Sequence, residues 1–256
     1  MSREPILTGA NVSKHFGSLK ALDDVHFGVY GGEILGIIGP NGAGKTTLLS
    51  VINGTLPITR GRIFFKGKEI TGLKPFRIAE QGISRTFQIV KPFPGMTALE
   101  NVAIGALFGK KPEKKMSRAM EKSAETIRKV ALKGKENTLV EKLNVSERKR
   151  LELARALTQD PEILLLDEVM AGLTPREIED IMALIQEVNR GGTTIMVIEH
   201  VMKAIMGISN RIFVLHHGQK IAEGTPDEIS ENPQVIAAYL GERYSKRLEE
   251  ASHAGG

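Results

Sequence analysis

Residues 39–46 read Gly-Pro-Asn-Gly-Ala-Gly-Lys-Thr, a G-x-x-x-x-G-K-T run, and no other stretch constrains the fold as tightly. The spacing has a chemical reason. Glycines let the chain curl so that successive backbone N–H groups point inward and form a nest for an anion. Lys45 brings a point charge to the β- and γ-phosphates of a nucleotide, and the Thr46 hydroxyl is a ligand for Mg²⁺. A helix that starts at this point adds its positive end. The loop therefore demands a buried strand before it and a helix after it. Residues 34–38 (Ile-Leu-Gly-Ile-Ile) supply the strand. Residues 45–53 supply the helix, with Leu48, Leu49 and Ile52 apolar and Gly54 placed to end it. The candidate nucleotide contacts are Gly39, Pro40, Asn41, Gly42, Ala43, Gly44, Lys45, Thr46 and Thr47.

The rest of the chain alternates strand and helix signals. Residues 5–33 read as a β-hairpin, with turns at Phe16-Gly17-Ser18 and Gly31-Gly32. Residues 62–67 read as a strand, and 72–87 as a helix followed by a strand over 83–87. Residues 98–158 are charged and helical, with a break near Gly134. Strands follow over 163–166 and 193–198, flanking an amphipathic helix over 176–190. A hairpin turns over Gly218, and 226–241 is a helical region. The expected class is α/β with a mainly parallel sheet core, an antiparallel β subdomain and a helical subdomain. One domain spans residues 1–245, with the helical subdomain, about 89–158, inserted into it. Residues 246–256 are a polar tail expected to fray.

Composition narrows the classes further. No apolar stretch approaches the roughly 18 residues of a membrane span. The start, Met1-Ser2-Arg3-Glu4-Pro5, lacks the apolar core of a signal peptide, so a cytosolic chain is expected. With no cysteine in 256 residues, disulfides and Cys-based metal sites are excluded. The net charge of +5 fits a solvated Lys/Glu surface or an anionic partner, and both readings stand. The lysine clusters at 110–115 and 128–135 have no interleaved aromatics, which argues against single-stranded nucleic acid.

A second motif completes a nucleotide site. Leu164-Leu165-Leu166-Asp167-Glu168 is an apolar strand ending in two carboxylates, and open α/β sheets place ligands at that end of a strand. Asp167 is placed to hold the Mg²⁺ shell. Glu168 is placed to act as general base on water, typically worth about 10²–10⁴ in rate, or about 3 to 5.5 kcal/mol of barrier. His200 follows a third apolar strand and reaches toward a γ-phosphate, whereas His15, His26, His216, His217 and His253 have no such context and read as structural or surface residues. Gln88, after the strand over 83–87, offers an amide that both ligates Mg²⁺ and senses the γ-phosphate.

With these pieces in this order, the chain resembles the ATP-binding subunit of an ABC transporter over roughly residues 6–242. The matching order is Phe16-Gly17, the phosphate loop, Gln88, a signature helix, Asp167-Glu168, Ala171-Gly172-Leu173-Thr174 and His200. The resemblance implies ATP and Mg²⁺ as cofactors, Phe16 stacked on adenine, and two such domains sandwiching two ATPs head to tail. It also implies two membrane permeases that couple to Gln88 and the helical insertion. Finer matches at Arg85-Thr86-Phe87-Gln88, Asp167-Glu168-Val169-Met170-Ala171-Gly172-Leu173, Ile198-Glu199-His200-Val201-Met202, 221–226 and 237–242 look like importers of branched-chain amino acids. Such systems pair two non-identical ATPases and add an extracytoplasmic substrate-binding protein. The implied location is the cytoplasmic face of the membrane, peripherally attached. Other cargo (amides, urea, exported lipid) is the nearest alternative. A soluble ABC ATPase or a regulatory module without turnover lies further off. The residues between Phe87 and Phe93 read as part of a permease groove or as core packing, and both stay open.

One departure stands out. The family signature is Leu-Ser-Gly-Gly-Gln, and here the aligned residues are Leu143-Asn144-Val145-Ser146-Glu147. The resemblance places Asn144 and Ser146 against the partner's ATP. If the family's glycine held a positive φ, Ser146 would add about 1 kcal/mol or more of strain. A weakened partner site and a tolerated variant are equally open readings.

Overall fold

The computed structural model describes residues 4–86 and 92–239. In chain order its elements are β1 (Pro5–Phe16), β2 (Leu19–Tyr30), β3 (Ile34–Ile38), α1 (Lys45–Ile52), β4 (Arg60–Phe65), β5 (Lys68–Glu69), α2 (Pro75–Gln81) and β6 (Ile83–Arg85). Then follow α3 (Ala98–Ala106), α4 (Met116–Lys129), α5 (Val145–Leu157), β7 (Ile163–Asp167), α6 (Pro175–Arg190) and β8 (Thr194–Ile198). The described chain closes with α7 (Met202–Ile208), β9 (Arg211–His216), β10 (Gln219–Gly224), α8 (Pro226–Ser230) and a helical stretch over 233–239.

Two sheets form among the described residues. One has the order β10-β9-β3-β8-β7-β6. All its neighbours pair in parallel except the β10 edge, which is antiparallel. The other, β2-β1-β4-β5, is antiparallel throughout. Side chains on a strand alternate between faces, and here both faces of the parallel sheet are covered. Ile34, Ile38, Leu164, Leu166, Ile195 and Val197 pack on one side with residues of α5, α6 and α7. Leu35, Ile37, Ile163, Leu165, Met196 and Ile198 pack on the other with α1 and the antiparallel sheet. That double burial is why β3, β7 and β8 read in sequence as nearly continuous apolar runs.

The α/β class, the β subdomain and the helical insertion all appear as expected. Three local readings need correction. The break expected near Gly134 is a non-helical passage from Val130 to Asn144, holding one 3₁₀ turn at Val140–Lys142 and a left-handed Ala131 (φ 56°). The C-terminal helical region is two helices, because Pro233 cannot continue α8. Asn232 restarts the chain there, its Oδ1 accepting from the Gln234 amide at 2.9 Å. Helix α7 follows His200, where the sequence pattern had assigned no element. The Phe87 end of the expected strand falls outside the described residues, and β6 ends at Arg85. Among the described residues no helix is long and apolar enough to cross a membrane.

Candidate functional site

Register brings the site together. Asp167 pairs with Ile198, and Ile198 with Ile37, so β7, β8 and β3 end at one edge of the sheet. The loops leaving these strands carry the phosphate loop, Glu168 and His200, and they line one cavity of about 510 Å³.

The phosphate loop needs its glycines. Gly39 (φ 150°) and Gly44 (φ 102°) lie where L side chains are strained. A Cβ at Gly39 would run into the Leu215 carbonyl, and one at Gly44 into the Ala21 carbonyl. Gly44 is also the N-cap of α1, and it supplies no side-chain acceptor. The first turn of α1 holds no acidic residue, so no carboxylate of the helix itself neutralises its positive end. Lys45 is buried, with Nζ donating to the carbonyls of Gly39 at 2.6 Å and Pro40 at 2.9 Å. Asn41, Gly42, Ala43, Gly44, Thr46 and Thr47 line the cavity with it.

Asp167 is fully buried and joins two elements. Its Oδ2 accepts from Arg85 Nη2 at 2.7 Å, and its Oδ1 faces the Thr46 hydroxyl at 3.4 Å. Arg85 also donates to Ser50 Oγ on α1 at 2.9 Å. Arg85 had drawn notice only as part of a family match. Its role emerges from a contact 82 residues away in sequence.

Glu168 leaves β7 with φ 53°, an uncommon region for a non-glycine residue. Its amide donates to the Ile198 carbonyl at 3.0 Å. Its Oε1 lies 2.8 Å from His200 Nε2 at the cavity wall. The sequence motifs thus meet in space: Lys45, Thr46, Asp167, Glu168 and His200 form one group. Phe16 stands at the cavity rim at the end of β1, 46% exposed, with Lys14 Nζ 4.7 Å from its ring centroid. His217, read from sequence as structural or surface, lines the same cavity from the β9–β10 turn. Gln88 lies outside the described residues.

Two buried groups near Glu168 were not anticipated. Lys149 of α5 donates from Nζ to the Glu168 carbonyl at 2.8 Å. Glu199 accepts at Oε1 from the Met170 amide at 2.8 Å. Burial pushes the Glu199 carboxyl up to about 7, against the opposing pull of the Met170 amide and the Lys149 charge.

Asn144 and Ser146 do not join this cavity. Asn144 is the N-cap of α5, its side chain accepting from the Glu147 amide at 2.8 Å, while Glu147 Oε2 accepts from the Asn144 amide at 2.9 Å. Ser146 is a buried helical residue without positive φ. The condition for backbone strain at Ser146 is therefore absent. The Lys135 ammonium, 2.8 Å from Glu147, holds that carboxyl below its ordinary value.

Comparison with known proteins agrees with this geometry. Residues 22–171 match the ABC transporter family, and residues 219–245 match the branched-chain amino acid ATP-binding cassette transporter family. The high-affinity branched-chain amino acid transport ATP-binding protein LivG of Escherichia coli K12 is 40% identical over 252 residues, 93% of this chain and 99% of that protein. An ATP-binding cassette of an ABC transporter solved in its ADP conformation superposes with TM-score 0.84 at 34% identity, covering 93% of this chain and 99% of that one. A dimeric cassette in a post-hydrolysis state, bound to ADP and Pi, superposes with TM-score 0.78 at 26% identity over 86% of this chain and 98% of that one. With a phosphate-loop cavity at the shared edge of three parallel strands, and matches over nearly its whole length, this chain belongs to the ABC transporter family as a nucleotide-binding ATPase cassette of the branched-chain amino acid type.

Proposed function

We propose that the chain is the ATP-hydrolysing subunit of an importer of branched-chain amino acids, and that Glu168 and His200 act together on the attacking water. The observation that carries this reading is their 2.8 Å contact at the wall of the phosphate-loop cavity. The Lys45 ammonium and the open N-terminus of α1 hold the phosphates. Phe16 offers a ring face at the rim for adenine. Glu168 accepts the proton of the water, and His200 orients the carboxylate and meets the γ-phosphate. Catalysis of this kind rests on positioning and charge neutralisation.

The residues present fit Mg²⁺. Thr46 lines the cavity with its hydroxyl 3.4 Å from Oδ1 of buried Asp167, and among the described residues no group of three or more His, Cys, Asp or Glu could hold a metal ion by itself. Mg²⁺ keeps several waters and is held by one or two protein ligands plus phosphates, so a sparse donor set suits it. Held by Thr46 and Asp167, it would supply positive charge against that of the phosphates. Gln88 is a further proposed ligand.

The partners proposed are a second ABC ATPase, two permeases and, through them, an extracytoplasmic binding protein, at the cytoplasmic face of the membrane. No nucleic-acid partner is proposed. The dimeric cassette of similar fold supports pairing. LivG's printed role supports the cargo. Cargo is recognised elsewhere in such an assembly, so amides, urea or a lipid are the alternatives.

Glu168→Gln tests the core of the reading. Hydrolysis should fall by about 10²-fold or more while ATP still binds. Light scattering with and without Mg-ATP then reads the pairing. A mass that doubles only with ATP means that the chain pairs with itself. A monomer with ATP bound means that it needs a different cassette or its permease. Undiminished hydrolysis by the variant would reject Glu168 as the base.

A further inference from the structure

The turn after β7 is held from two sides by charged, buried side chains. Glu168 sits in the left-handed region at φ 53°. A non-glycine residue persists there only where its surroundings over-determine it. Three contacts do so. The Glu168 amide donates to Ile198 at 3.0 Å, the Glu168 carbonyl accepts from Lys149 Nζ at 2.8 Å, and the Met170 amide donates to Glu199 Oε1 at 2.8 Å. Lys149 and Glu199 are only 8% and 3% exposed. They approach from different elements: Lys149 from α5, Glu199 from the end of β8 beside His200. Neither lines the cavity.

We propose that Lys149 and Glu199 are paired positioning residues for ATP hydrolysis, pinning the strained Glu168–Met170 turn so that the Glu168 carboxylate meets His200 at the cavity wall. The proposal rests on the reading of Glu168 as general base. The division of labour follows from the chemistry. Lys149 fixes the carbonyl end of Glu168 and thereby the direction in which its side chain leaves the backbone. Glu199 fixes the amide two residues on and shares its backbone with His200. One buried pair thus sets the base and its histidine partner together. Lys149 also lies little more than one helical turn from Asn144, the N-cap of α5. A shift of that helix end therefore pulls directly on the carbonyl of Glu168.

The test uses the full-length chain in its assembled transporter, with substitutions in this subunit only. Steady-state ATP hydrolysis and binding of a fluorescent ATP analogue are measured side by side. Glu199→Ala and Lys149→Met should each lower kcat about tenfold or more, with the KM for ATP and the analogue affinity moving less than about twofold. Glu199→Gln keeps a carbonyl for the Met170 amide, and Lys149→Arg keeps a cationic donor, so each should recover at least about a third of kcat. The double Glu199→Ala, Lys149→Met variant should be no more than about twofold slower than the slower single, because both act on one turn. A purely structural pair would lower stability and folded yield without this split. The idea is overturned if the folded Ala and Met variants keep kcat within about twofold of the parent, if the conservative variants fare no better, or if KM rises in step with the loss. Should Glu199→Ala fail to fold, Lys149→Met against Lys149→Arg carries the same contrast. Glu168→Gln in parallel separates the two ideas: if it still hydrolyses, the base assignment fails whatever the other variants do.

Discussion

The N-terminus of α1 and the N-terminus of α5 are built in opposite ways. At α1 the capping position is Gly44, with no side-chain acceptor and no acidic residue in the first turn. At α5 the cap is Asn144, locked in a reciprocal box with Glu147, and Lys135 neutralises the carboxylate. The first end leaves its donors for an anion, while the second has satisfied two of its amides internally. The backbone shows the same contrast. Around α1 the chain is strained and depends on glycine, whereas around Ser146 it is ordinary helix. An anion site at a helix end thus requires that stabilising caps be withheld. Where the cap is present, two of the amides at that end already have partners.

The sharpest break of that comparison is Arg85→Met. It leaves fully buried Asp167 without its ion-pair partner, and loss of one member of such a pair costs about 3–5 kcal/mol. The matching change at α5, Lys135→Met, removes a partner that is 45% exposed and should cost less than about 1 kcal/mol. Chemical denaturation of both variants decides it, and equal losses would contradict the contrast.

The carboxylates of the two regions should also respond to pH with opposite sign. Glu199 is raised from 4.5 to about 7 by burial. Between those values the folded chain keeps a proton that the unfolded chain has lost, so its contribution to stability falls as pH rises and levels off above about 7. At full extent this amounts to about 3 kcal/mol. Glu147 is lowered, first by its hydrogen bond from Lys135, so its contribution is present above about 4.5 and is lost as pH falls through its folded value. Stability measured from pH 5 to 8 should show Glu199→Gln gaining on the parent chain. A parallel pair of curves would remove the burial argument.

Gly44→Ala should cost about 2 kcal/mol and abolish nucleotide binding, since the added Cβ meets the Ala21 carbonyl at φ 102°. Ser146→Gly is the smallest change and runs the other way. Glycine inside a helix costs about 0.5–1 kcal/mol. If the capped end limits the partner's site, the same variant raises hydrolysis in the assembled pair while lowering thermal stability. A drop in both would show that Ser146 is needed as it stands.

Much of the site was legible because its motifs are local. Gly39–Thr46, Asp167-Glu168 and His200 each sit at the end of an apolar run, and that run announces the strand. Arg85, Lys149 and Glu199 were not legible as working residues. An arginine in a short strand, a lysine in a charged helix and a glutamate before a histidine look ordinary until a fold brings partners to them. His217 reads as ordinary for the same reason: most of the wall it lines is made by residues about 170 to 200 positions earlier in the chain.

By itself, then, the sequence determined the ligand class, the strand–loop–helix unit and the order of the family's motifs, because each depends on side-chain period and spacing over a dozen residues or fewer. Only the tertiary structure decided which groups touch. The parallel register of β3, β8 and β7 sets Asp167, Ile198 and Ile37 abreast. The packing of α5 carries Lys149 onto the turn after Asp167. The helical backbone at Ser146 removed the condition on which strain there depended. Pairing and burial act between segments far apart in the chain, and no local pattern encodes the distance across which they meet.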